Sequence, residues 1–168
     1  MSFPNTPPPV DRSQRTLADG SPITDDHRDL KGNGQQKGYV VLSAEERARG
    51  FVRPVRRTYV HAYPRRPKYP LRDLTPEQQE RHGDRGYAKF EPYPEGVSGL
   101  GRYWTQAALD RAAKGCGVAT TMGPAIAETY ARDPKFYSGT FCCGCRDHFP
   151  VGADGEFVWD GTDEKVGT

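Results

Sequence analysis

Apolar residues in this chain come in short clusters separated by turn residues, so the pattern predicts small elements. After residue 37 the first cluster is Gly38-Tyr39-Val40-Val41-Leu42, whose β-branched and aromatic content predicts a short strand. Ser43-Ala44-Glu45-Glu46 follows as a capping box, with Ser43 as N-cap and Glu46 at N3, and opens a short helix that Gly50 stops. Phe51 to Val60 is rich in β-formers but interrupted by Pro54, which suits an edge strand.

Residues 61–104 read as irregular and loop-rich. Within them Thr75 caps a helix with Pro76 at N1 and Gly83 at its end, Gly86 to Phe90 suits a strand, and Pro92 to Gly101 is loop. Thr105 caps a helix over Gln106 to Lys114. Pro124 to Arg132 is the clearest helix, with Ile126 and Tyr130 four apart on one face and Pro134 beyond its end. Phe136 to Phe141 reads as a strand. His148 to Val151 is expected to pair with Glu156 to Trp159 across Gly152-Ala153-Asp154-Gly155. The fold class expected is α+β: a single small mixed domain over 38–168, with short helices and hairpins around a zinc-ribbon or knuckle-like site. Residues 1–37, with their Pro run and scattered apolar positions, read as an extended arm. An arm gains order only through contacts, which points towards assembly.

Composition explains why such a domain would need help. Only 35% of the 168 residues are apolar, 19 are Gly and 15 are Pro, and the mean hydropathy is −0.83. The core is small for the length, and a metal is a plausible supplement. No apolar run approaches the roughly 20 residues that span a bilayer, so no membrane partner is expected. The opening Met1-Ser2-Phe3-Pro4 carries neither the basic nor the apolar region of a secretory signal. The expected location is the reducing cytosol where the chain is made, where cysteines favour metal over the two disulfides that four of them could otherwise form.

The chemistry sits in Phe141-Cys142-Cys143-Gly144-Cys145-Arg146-Asp147-His148, with Cys116 upstream between two glycines. Cys-x-x-Cys aims two sulfurs at one point, and Gly144 permits the turn its backbone angles. Cys116, Cys142, Cys145 and His148 are the expected ligands of a structural zinc, with His61 as the alternative fourth. Cys143 is read as a buried apolar filler. A redox role for Cys-x-x-Cys lacks a thioredoxin-like frame. A catalytic zinc would need an open position and a carboxylate such as Asp147 or Glu128, and nothing marks either. The chain is therefore read as non-enzymatic.

Between Arg47 and Arg72 lie nine Arg or Lys and no acid, interleaved with aromatics. Arg53, Arg56, Arg57, Arg65, Arg66 and Lys68, with Tyr59 and Tyr63, are the candidates for a nucleic-acid surface. Net charge is only +2, and Asp147, Asp154, Glu156, Asp160, Asp163 and Glu164 crowd the C-terminal end. The competing reading is that the basic stretch faces that end, within one copy or between neighbours.

Gly38 to Arg57, Thr121 to Pro134 and Phe157 to Glu164 together resemble uncharacterised small proteins encoded by tailed phages and prophages. The similarity covers most of the chain after residue 37. It implies a phage origin and offers no catalytic residues. The function expected is a zinc-stabilised assembly or binding module that docks on a larger particle such as a phage capsid or tail. Nucleic-acid binding and zinc-dependent hydrolysis are the alternatives.

Overall fold

A strand of three residues buries its apolar side chains only if a neighbour pairs with it, and in this chain the first partner comes from the N-terminal segment. The computed structural model, which describes residues 6–96 and 101–168, pairs Arg15–Leu17 (β1) antiparallel with Val40–Leu42 (β2), Thr16 opposite Val41. Val41 and Leu42 are fully buried. Within the stretch read as an extended arm, residues 15–17 thus pair with β2, and Leu17 is its one buried residue among those described. The backbone divides into two units, Met1–His61 with Val118–Thr168, and Ala62–Gly117, where the sequence reading had one domain after residue 37.

In the first unit Ser43 caps Ala44–Arg47 (α1), its hydroxyl accepting from the Glu46 amide at 3.2 Å. Only half of the expected capping box forms, because the Glu46 carboxylate has other work. Its Oε1 accepts from the Asp11 amide and from Arg132 Nη2, both at 3.0 Å. Arg132 also donates to the Pro8 carbonyl at 2.6 Å, and Arg12 binds the neighbouring Asp133 through two donors at 2.7 and 3.1 Å. These long-range polar bonds tie down the residues that apolar content alone left unplaced. The Asp11 amide, helped by Arg132 and Arg49, holds Glu46 below the usual carboxylate range in spite of its burial.

Thr58–His61 (β3) is the central strand of a three-stranded antiparallel sheet, between Ala119–Thr121 (β6) and Phe157–Trp159 (β9). The expected edge strand is therefore interior. Pro54 lies outside it, so every residue of β3 keeps its amide for the ladder. The expected hairpin of 148–151 with 156–159 does not form. Instead Gly139–Cys142 (β7) pairs with Asp147–Pro150 (β8), and β9 crosses to β3. Helix Pro124–Arg132 (α4) has the predicted bounds, and its Thr129 hydroxyl accepts from the Leu42 amide. The core is aromatic: Tyr59 meets Phe157 edge-on at 5.3 Å, and Tyr130 meets Trp159 at 5.7 Å.

The second unit follows its local signals closely. Thr75 and Gln78 form a full capping box on Pro76–His82 (α2). A 3₁₀ turn follows, and Gly86 takes the left-handed conformation, φ 72°, that releases the chain into Tyr87–Glu91 (β4). β4 pairs antiparallel with Arg102–Thr105 (β5), and Thr105 caps Gln106–Lys114 (α3). Buried Trp104 donates to Glu91 Oε2 at 2.8 Å, while Glu91 Oε1 accepts the Lys68 and Tyr69 amides. The loop read over 92–101 lies partly outside the described residues. Among those described, no helix is long and apolar enough to cross a membrane.

Arg132 and Glu46 are 1% and 2% exposed, so removing one leaves the other charged and buried. Glu46→Ala is expected to lower the unfolding free energy by about 3–5 kcal/mol in urea titration. Because the folded-state value of Glu46 is depressed, its contribution is complete above the ordinary carboxylate range. It disappears as pH falls through the folded value, and the variant is expected to lose that part of the wild type's acid sensitivity.

Candidate metal centre

The β7–β8 hairpin turns through residues 143–146, closed by the Arg146 amide donating to the Cys142 carbonyl at 2.8 Å. The left-handed residue of this turn is Arg146, φ 56°, and not Gly144. Gly144 serves close packing instead: a Cβ there would stand 2.7 Å from the Val118 side chain. Cys142 ends β7 fully buried, and the Cys145 amide donates to its sulfur at 3.4 Å. The turn therefore brings two sulfurs of Cys-x-x-Cys together, as that spacing predicts.

His61 is the last residue of β3 and is 0% exposed. Its ring stacks on Phe149 at 4.5 Å and lies 4.9 Å from Phe157. Nε2 meets Glu156 Oε1 at 3.0 Å, and Nδ1 faces Cys145 Sγ at 3.4 Å. A carboxylate on one imidazole nitrogen fixes the tautomer and orients the other nitrogen, an arrangement common around metal ligands. Cys116 follows α3, its amide held by the Tyr63 carbonyl at 2.8 Å, and Gly117 beside it is left-handed, φ 66°.

One ligand atom from each of His61, Cys116, Cys142 and Cys145 lies within 4.8 Å of all the others. A tetrahedron with metal–sulfur bonds of about 2.3 Å has edges near 3.8 Å, so small side-chain rotations close this set on one ion. The four residues can hold a metal. Cys145's hydrogen bond draws the Cys142 thiol down to about 4, against the effect of burial, with His61 helping. Burial works against a charged His61, but its bonds to Cys142 and Glu156 outweigh this and raise it. None of the four cysteines forms a disulfide.

His148, the expected fourth ligand, is elsewhere, and His61 stands in its place. Strand alternation is the reason. Across the hairpin His148 pairs with Phe141, and Cys142 pairs with Asp147, so the histidine emerges on the face opposite Cys142. There it packs on Phe141 at 5.4 Å and hydrogen-bonds Tyr39 through Nε2 at 2.9 Å. Cys143 is exposed, its thiol near the Ala119 carbonyl, and not the buried filler expected. Glu156 carried no signal in the sequence: its role depends on β9 lying beside β3.

The basic stretch is largely spoken for. In the first unit Arg56 grips Glu164 at 2.7 and 3.1 Å and lies 4.7 Å over Trp159. Arg57 donates to the Met122 carbonyl and Arg53 to that of Thr168. Within the first unit, then, Arg56 and Arg53 reach the C-terminal end in one copy, as the competing reading had it for the basic stretch as a whole. Tyr59 is 2% exposed and bonded to the Phe141 carbonyl, so its ring is packed in the core. In the second unit Arg65 covers Trp104 at 5.0 Å, the Lys68 amide binds Glu91, and Tyr63 is exposed. Arg66 is exposed.

His61→Ala is expected to abolish metal binding in a competition titration against a chromogenic chelator, while His148→Ala leaves stoichiometry and affinity unchanged. Glu156→Gln is expected to weaken affinity by about 10–100-fold while keeping one ion per chain. No protein-family model, curated protein or solved structure matches the chain.

Proposed function

We propose that this chain is a non-catalytic, zinc-stabilised binding module. The observation that carries the reading is the closed donor set of His61, Cys116, Cys142 and Cys145, with Glu156 behind the imidazole. Three thiols and an imidazole are soft to borderline donors that suit zinc. Four protein ligands fill a tetrahedron and leave no position for a substrate or an activated water. The carboxylates that a hydrolase would draw on are engaged: Glu128 pairs with Arg47, and Asp147 accepts the His148 amide.

The narrower form of the reading is docking on a larger particle such as a phage capsid or tail. It rests on the likeness to small tailed-phage proteins and on an exposed apolar strip. Phe51, Val52 and Val55 are each more than 40% exposed within five residues, and apolar side chains gathered in this way mark contact surfaces.

Native mass spectrometry with metal analysis tests both levels. The expected result is one zinc per chain, lost together with cooperative unfolding when a strong chelator is added. The docking form predicts the protein among the components of purified particles. A metal-free folded protein contradicts the first level, and a monomer absent from particles contradicts the second.

A further inference from the structure

Separate from the metal centre and from the docking role, the first unit holds a basic groove of about 710 Å³. Its ionisable lining is Arg12, Arg15 and Arg28 with His27 and His148; no Asp or Glu is among the described residues that line it. Tyr39, Phe136 and Tyr137 add aromatic surface.

The arginines here differ from those of 47–57. Arg47, Arg49, Arg53, Arg56 and Arg57 each bond a carboxylate or a carbonyl. Arg12 commits Nε and Nη2 to Asp133. The side chains of Arg15 and Arg28 make no hydrogen bond or ion pair among the described residues. Neither guanidinium is paired with a carboxylate among the described residues, so both can take an anion supplied from outside. The guanidinium fork matches phosphate oxygens two at a time.

The rings decide between anions. An acidic peptide would use the arginines and leave the aromatic surface idle. A nucleotide uses both, with phosphate on the guanidiniums and the base against a ring. The volume falls in the range of small-ligand sites, about 300–1,000 Å³. We infer that this groove binds a nucleotide, free or within a single strand, with its phosphate on Arg15 and Arg28 and its base against Tyr39 or Phe136. The sequence hid the site, because its arginines are scattered through residues that read as an unstructured arm.

The test uses the full zinc-loaded chain and a fluorescein-labelled dT10 in anisotropy titrations at low salt. Saturable binding is expected, weakened at least tenfold by Arg15→Ala/Arg28→Ala. The log–log salt slope is expected to flatten by about 0.7, the value for one single-strand phosphate. Arg28→Glu alone, in a turn outside any strand, guards against misfolding of the double variant and is expected to weaken binding similarly. Arg57→Ala is expected to change nothing. Displacement by dTMP assigns the site to a free nucleotide, and displacement by unlabelled dT10 alone assigns it to a strand; both support the groove. No binding, binding indifferent to Arg15 and Arg28, or equal displacement by deca-glutamate overturns it.

Discussion

A buried imidazole aimed at thiols is the constraint on which the first unit's arrangement depends. His61 carries no exposed surface, and the neighbours that make this tolerable come from outside β3. Phe149 of β8 stacks on one side, Phe157 of β9 lies close by, and Glu156 holds Nε2. The Cys142–Cys145 turn then receives Nδ1. Such a group is costly to bury without partners, so β3 must be central, β9 must cross to it, and the β7–β8 hairpin must present its turn. The metal centre and the sheet order are two descriptions of one set of contacts.

A second buried polar group does for the N-terminal segment what apolar side chains do in richer sequences. Glu46 and Arg132 converge on the backbone of residues 8–11, and Arg12 adds its pair with Asp133. Buried charges contribute little net stability, but they tolerate few alternative arrangements. In a chain with so many glycines and prolines, that selectivity keeps the segment from remaining loose.

Local chemistry was legible and partnership was not. Thr75-Pro76 with Gln78, Thr105 before α3 and Pro124 at the head of α4 each announce a helix whose bounds match, because a cap acts within four residues. Cys142, Cys145 and Cys116 were legible as ligands for the same reason of spacing and softness. The fourth ligand was not, since the choice between His61 and His148 depends on which face of β8 meets which strand. The contacts of residues 8–17 were not legible, because the groups that hold residues 8–12 are a carboxylate and guanidiniums more than eighty residues apart from one another. The basic stretch misled in the opposite direction. Its charge is real, but Arg56 and Arg57 are already bonded, while the uncommitted Arg15 and Arg28 lie where the sequence looked featureless.

The central proposal is that the four residues His61, Cys116, Cys142 and Cys145 form a closed zinc site that performs no chemistry. X-ray absorption at the zinc edge tests it most directly. The account predicts a first shell of three sulfurs near 2.3 Å and one nitrogen near 2.0 Å, with no oxygen. The nitrogen is expected to vanish in His61→Ala and persist in His148→Ala. A water oxygen in the shell, or a nitrogen lost with His148, would contradict it.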